Sequence, residues 1–141
     1  MISKKMKYAL KALTYLSKHS SKDHCIKTQL ISEEEKIPKK FLEQILLELK
    51  KHGFVNSKQG NIGGYYIMKH TENVTIKDLY RLFDGPIALV PCASLNYYET
   101  CEDCVDEATC AIKKELVFIR DQTLKAMESV TLKKIFDEQT P

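Results

Sequence analysis

Apolar residues recur at helical spacing from the start of the chain: Ile2, Met6, Ala9, Leu13 and Leu16 mark one face of a segment from Ile2 to Lys18, and Ser20-Ser21-Lys22-Asp23 ends the run. A second, short helix is expected from Thr28, as N-cap, towards Lys36, burying Leu30 and Ile31. Ile37-Pro38 breaks it, because proline disfavours helical geometry in the residue before it yet suits the first position of a new helix. A third helix therefore runs from Pro38 to His52, with Phe41, Leu42, Ile45, Leu46 and Leu49 apolar and Gly53 just past its end. Two helices joined by so tight a break are a helix-turn-helix candidate.

The pattern then changes period. Phe54-Val55-Asn56-Ser57-Lys58 and Tyr65-Tyr66-Ile67-Met68 read as strands, and Gln59-Gly60-Asn61-Ile62-Gly63-Gly64 between them is a glycine-rich loop, so the pair forms a β-hairpin placed as a wing beside the third helix. A glycine-rich loop can approach phosphates or a neighbouring minor groove while the helix lies in the major groove. It is not a nucleotide cradle, since no Gly-Lys-Ser/Thr P-loop and no βαβ context accompany it. Thr75 to Phe83 predicts another short helix, capped by Thr75, with Ile76, Leu79, Leu82 and Phe83 apolar. From Asp84 to about Asp106 regularity stops, and Gly85, Pro86 and Pro91 make this a loop that needs a ligand or a partner to hold it. After Cys110 a long helix carries Ile112, Leu116, Ile119, Thr123 and Met127 at helical spacing, widened by Val117, Phe118 and Leu124.

The expected fold class is mainly α with a small β-hairpin wing. Residues 1–83 form a winged helix-turn-helix DNA-binding domain, 84–110 a cysteine-containing sensor loop, and 111–141 a dimerisation helix followed by a short C-terminal helix. The long helix is apolar over too much of its circumference for a small winged domain to cover, so pairing with the same helix of a second copy is expected, packing within the chain being the alternative.

Charge sharpens this division. The net charge of +3 conceals 14 lysines against 6 acids in residues 1–70, a balance of +8, and 8 basic residues against 13 acids in residues 71–141, a balance of −5. The first half is built to meet an anion, which points to nucleic acid, unless the lysines merely solvate helix faces. The longest apolar runs fall short of a bilayer span and no signal-peptide apolar region follows Met1, so no membrane association is expected and the cytoplasm is the expected compartment.

In a reducing compartment, five cysteines in 141 residues argue for metal or redox chemistry more than for a disulfide framework. Four of them, Cys92, Cys101, Cys104 and Cys110, crowd into one acidic segment without histidine, and thiolates suit an iron–sulfur cluster or zinc. Zinc fits less well, because structural zinc sites are usually built from two close Cys or His pairs and only Cys101-x-x-Cys104 is present. Metal-free thiol sensing also remains open. A thiol–disulfide enzyme is disfavoured, since the Cys-x-x-Cys pair lacks a strand-to-helix context and Glu99, Glu102 and Asp103 would raise its thiol pKa values.

Taken in order, Lys7-Tyr8-Ala9-Leu10, Ile37-Pro38-Lys39-Lys40-Phe41-Leu42-Glu43-Gln44, Lys51-His52-Gly53-Phe54-Val55, Gly60-Asn61-Ile62-Gly63-Gly64-Tyr65 and the stretch from Cys110 to Val130-Thr131-Leu132 resemble the bacterial winged-helix regulators of the IscR, NsrR and CymR type, the Rrf-two family. The resemblance spans nearly the whole chain. It implies a homodimeric transcription factor that binds double-stranded DNA at an inverted-repeat operator, with an iron–sulfur cluster (2Fe-2S or 4Fe-4S) in many members and none in others. Cys104 and Cys110 keep the last of the family's cysteine spacings, whereas Cys92 lies further upstream and Cys101 is additional. In many members three linker cysteines hold the cluster, and Lys113 and Lys7 occupy the positions from which relatives recruit a non-cysteine ligand; since four thiolates complete a Cys₄ set, the expected metal site is Cys92, Cys101, Cys104 and Cys110, with Cys101 in place of that ligand. Lys58-Gln59 replaces the arginine that many relatives place before the glycine run, which loses a guanidinium fork suited to guanine or a narrow minor groove.

The candidate DNA contacts are Thr28, Lys39, Lys40, Gln44, Lys58, Gln59, Gly60 and Asn61, with Phe41, Leu42 and Tyr65 expected to pack. His19, His24, His52 and His70 are expected at the surface or at caps, and Cys25 as a small filler near a helix junction.

Overall fold

The computed structural model describes residues 2–138. Its backbone divides into two compact units, one made of residues 2–74 together with 131–138, the other of residues 75–130. Among the described residues no helix is long and apolar enough to cross a membrane.

The first unit is organised on helix α1 (Lys4–His19), which starts at Lys4 rather than Ile2 because Ser3 caps it, its hydroxyl accepting the Met6 N–H at 3.1 Å. Its fully buried residues are Met6, Ala9, Ala12, Leu13 and Leu16. The two alanines let neighbouring backbones approach closely. Helices α2 (Thr28–Glu35) and α3 (Lys39–Lys51) pack against it and against each other. The turn between them is built by Lys36 in the left-handed region (φ 54°) and by Ser32, whose hydroxyl donates to the Ile37 carbonyl at 2.6 Å while its own carbonyl accepts the Ile37 N–H at 3.1 Å. The N-caps fall one residue earlier than expected at α2, where Lys27 and not Thr28 is extended, and Pro38 caps α3 rather than occupying its first position. Leu30, expected inside, is 41% exposed, and Ile31 alone anchors α2.

The wing pairs β1 (Val55–Lys58) with β2 (Gly64–Ile67) antiparallel, Val55 opposite Ile67 and Lys58 opposite Gly64. Ile26 adds a bridge to Tyr65 through two backbone hydrogen bonds of 2.7 and 2.8 Å. Gly64 permits this: its φ is +143°, and a Cβ there would lie 2.4 Å from the Ile26 carbonyl oxygen. The short helix α6 (Leu132–Glu138) completes the unit with Leu132 fully buried and its N–H on the Val74 carbonyl at 2.8 Å.

The second unit contains α4 (Ile76–Phe83) and α5 (Ala111–Ser129). Thr75 caps α4 as expected, in a full capping box with Asp78. Residues 84–110 hold only two 3₁₀ turns, at Pro91–Ala93 and Glu107–Thr109. Helix α5 has no buried residue, and Ile112, Phe118 and Ile119 are exposed.

Two glycines of the wing separate strain from steric exclusion. Gly60 (φ +104°) has open space where a Cβ would point, whereas Gly64 does not. Gly60→Ala is expected to lower the free energy of unfolding by about 1 kcal/mol and Gly64→Ala by on the order of 3 kcal/mol, because the latter adds a backbone clash to the dihedral penalty. Urea unfolding of the two variants measures the difference.

Candidate nucleic-acid interface and thiol cavity

In α3 the buried positions Leu42, Ile45, Leu46 and Leu49 turn the opposite face outward, and this face exposes Lys40, Glu43, Gln44 and Leu47 at helical spacing, with Lys39 beside them in the first turn. A helix of this kind, presented by a tight turn, has the form needed to enter a major groove. Glu43 and Leu47 were not among the expected contacts. A carboxylate can accept from a cytosine amino group and an aliphatic side chain can contact a thymine methyl, so both belong to the candidate surface. Burial first, and then the Glu43 charge, push the Tyr65 phenol above its ordinary range. Lys50 Nζ donates to Ser57 Oγ at 2.7 Å and ties α3 to β1.

Lys58, Gln59, Gly60 and Asn61 are all exposed at the end of the hairpin. Thr28 is half-buried in the first turn of α2. Phe41 and Tyr65 are partly buried, with Phe41 edge-on to Tyr8 at 5.6 Å between ring centres. His19, His24, His52 and His70 are all exposed, and Cys25 is half-buried.

In residues 75–130, Cys92, Cys101, Cys104 and Cys110 line a single cavity of about 810 Å³, together with Glu107, Lys113 and other loop residues. Cys101 is exposed; the other three are half-buried. Cys101 and Cys104 bracket a turn, the Cys104 N–H donating to the Cys101 carbonyl at 3.2 Å. Cys110 is the N-cap of α5, its Sγ accepting the Lys113 N–H at 3.4 Å. Burial, followed by the charges of Cys101, Glu107, Cys110 and Cys92, raises the Cys104 thiol pKa.

A polar triad closes one side of the cavity. Tyr98 donates its hydroxyl to both Glu107 carboxylate oxygens at 2.6 and 2.8 Å, Lys113 Nζ donates to Glu107 Oε2 at 3.1 Å, and the same ammonium lies 5.6 Å from the centre of the Tyr98 ring. The hydrogen bond from Tyr98, and then that from Lys113, holds the Glu107 carboxyl below its usual range; the same contacts raise Tyr98 and Lys113. Lys113 is thus an anchored cation at the cavity wall. Arg120 Nη1 donates to the Ala93 carbonyl at 2.6 Å and ties the cysteine loop to α5.

Among the described residues no group of three or more His, Cys, Asp or Glu is arranged to hold a metal ion, so the thiols surround the cavity without converging on one point. The donor set nevertheless fits a thiolate-bound iron–sulfur cluster in kind and number: four sulfurs on one cavity and no imidazole in the loop.

Comparison with known proteins gives a coherent picture. Residues 2–138 match the Rrf2 family model, described as an iron-dependent transcriptional regulator. An rrf2-like HTH-type transcriptional regulator of Rhodobacter capsulatus is 41% identical over 143 residues, covering 100% of this chain and 95% of that protein. The HTH-type transcriptional regulator CymR of Bacillus subtilis is 31% identical over 133 residues, covering 93% and 86%. In solved structures, CymR, the global cysteine regulator of B. subtilis, superimposes with a TM-score of 0.76 at 27% identity over 99% of this chain and 98% of that one. The IscR of T. potens shares the fold, with a TM-score of 0.67 at 20% identity over 99% and 88%.

The triad makes a prediction independent of any ligand. Ionising the Tyr98 phenol would break its hydrogen bond and set two anions side by side, so the tyrosinate forms only above the ordinary range near pH 10. The difference in ultraviolet tyrosinate absorbance between the wild type and Tyr98→Phe is expected to titrate above that range, and the same difference measured in a Glu107→Gln background to titrate lower. Identical titration in both backgrounds would break the triad.

Proposed function

The chain belongs to the Rrf2 family of transcriptional regulators, is a DNA-binding regulator rather than an enzyme, and from that premise we propose that it acts in the cytoplasm as a homodimer on an inverted-repeat operator, its affinity set by an iron–sulfur cluster held by Cys92, Cys101, Cys104 and Cys110. The observation that carries the cluster is the single cavity lined by all four thiols. The family's description as iron-dependent supports it. When bound, such a group supplies electron transfer and a target for oxidants and nitric oxide. The rest follows from the chain's own residues.

Residues 84–110 form the sensing loop, which contributes almost no apolar burial, so ligation by four of its side chains would order it. Cys110 transmits that order most directly, because its sulfur caps α5 and a ligated thiolate is a stronger acceptor for the Lys113 N–H than a thiol. Helix α5 is the dimerisation element: Ile112, Phe118 and Ile119 are exposed, and no residue of the helix is buried within the single chain. Loss of the cluster would alter where α5 begins and thereby the spacing of two recognition helices, a two-state coupling. Lys39, Lys40 and Lys58 would neutralise phosphates, while Gln44, with Glu43 and Leu47, reads base edges. Thr28, Gln59, Gly60 and Asn61 complete the contact surface.

A cluster-free regulator sensing through its thiols is the second reading, favoured by the likeness to the cysteine regulator of B. subtilis. Anaerobic reconstitution with iron and sulfide separates the two. Wild-type protein is expected to bind both and develop a sulfide-to-iron absorption band, and Cys101→Ala to lose or destabilise it; a colourless wild type, or an unchanged Cys101→Ala spectrum, rejects the four-cysteine site.

The dimer and the DNA surface have their own outcomes. Ile119→Glu is expected to give monomers or aggregates by light scattering, with operator affinity lost while the chain remains helical. Gln44→Ala should relax base preference at a cost on the order of 1–3 kcal/mol, whereas Lys58→Ala should weaken binding to all sequences and lower the salt slope by about one. Equal, salt-insensitive losses for these two variants would overturn their assigned roles.

A further inference from the structure

The tip of the wing carries an isoleucine that packing within the chain does not explain. Ile62 is 91% exposed, whereas most large apolar side chains of residues 2–74 are buried, the few others left outside being far less exposed. It occupies the apex of a turn closed by the Gly63 N–H on the Gly60 carbonyl at 3.0 Å, with Asn61 beside it. The turn is closely packed at its base: a Cβ on Gly63 would lie 2.2 Å from the Lys58 carbonyl oxygen, and Gly64 is pressed against Ile26. A narrow, glycine-flanked tip thus holds one branched apolar side chain out into solvent, next to exposed Lys58, Gln59 and Asn61, in the half of the chain that carries the +8 charge balance.

We infer that Ile62 is an apolar wedge that enters the minor groove of bound duplex DNA and presses between the edges of a base step and the adjoining deoxyriboses. The inference rests on the DNA-binding reading above and adds a contact to it that is neither a phosphate clamp nor a hydrogen-bonded base reading. The minor groove, about 6 Å wide, admits a two-residue turn apex but not a helix. Aliphatic side chains inserted there partly unstack the step beneath them and bend the duplex towards the major groove. Lys58, in the last strand pair before the loop, opposite Gly64, reaches a flanking phosphate, and the Asn61 amide can donate to the adenine N3 and thymine O2 acceptors on the groove floor. Pyrimidine–purine steps, which unstack most readily, are then favoured under the wing. Specificity would arise there from deformability.

The test uses the full-length protein and a duplex selected by the wild type from a random-sequence library, labelled at both ends for energy transfer and carrying 2-aminopurine at steps flanking the recognition site. Wild type is expected to shorten the end-to-end distance and brighten 2-aminopurine at one step on each side. Ile62→Ser should lose both signals and bind roughly tenfold more weakly, the consequence of leaving that apolar surface unburied, with the salt slope unchanged. Ile62→Val should restore the bend, and Lys58→Ala should lower the salt slope while keeping the 2-aminopurine signal. Unchanged affinity and bend in Ile62→Ser would overturn the wedge, as would a weaker affinity with the bend intact or a change in the oligomeric mass of the free protein. Failure of wild type to retain any duplex would instead overturn the DNA-binding reading itself and the wedge with it.

Discussion

The two units bury apolar surface very unequally. Residues 2–74 and 131–138 hold nearly all of the core, from Met6, Leu13 and Leu16 through Ile31, Leu42, Ile45, Leu46 and Leu49 to Val55 and Leu132. Residues 75–130 bury only Leu79 and Ala93 among apolar side chains. Hydrophobic burial is the dominant favourable term in folding, so residues 75–130 draw on it less than the winged unit does and lean more on polar ties. Those ties are the Thr75–Asp78 capping box, Lys77 on Glu128 at 2.6 Å, Arg120 on the Ala93 carbonyl, and the Tyr98–Glu107–Lys113 triad. Exposed ion pairs contribute at most about 1 kcal/mol each. A segment so constructed has the most to gain from whatever else binds it, and this is the physical ground on which the sensing and dimerising roles are proposed for it.

That inequality was partly legible in the chain. Helical spacing located α1, α3 and α5, the Ile37-Pro38 break located the turn of the helix-turn-helix, and the glycine run located the wing, because each rests on a local rule of backbone or period. The caps of α2 and α3 slipped by one residue because they depend on which residue becomes extended, and Lys27 and Pro38 carry no side-chain signal of it. Leu30 was misplaced because an eight-residue helix makes too few turns for its pattern to choose between neighbouring faces. Glu43 and Leu47 became visible only once Leu42, Ile45 and Leu46 had been assigned to the core, which fixed the outward face of α3.

The thiol site shows the same limit. The crowding of four cysteines into one segment points to one ligand set, and all four line one cavity, but nothing periodic joins Tyr98, Glu107 and Lys113. They meet because the chain folds back across the 3₁₀ turn at Glu107–Thr109. Lys113, which reads in the sequence as a ligand lost, is in the fold a cation neutralised by Glu107 and seated at the cavity wall. An anionic group with thiolate ligands would find there a fixed positive partner, with Cys110 at the start of α5 beside it.

If the four loop cysteines alone hold the proposed cluster, no nitrogen or carboxylate oxygen of the chain binds its iron. X-ray absorption at the iron edge of anaerobically reconstituted protein reads the first coordination shell directly. A shell of sulfur alone is the predicted result; a nitrogen or oxygen scatterer at bonding distance would contradict it.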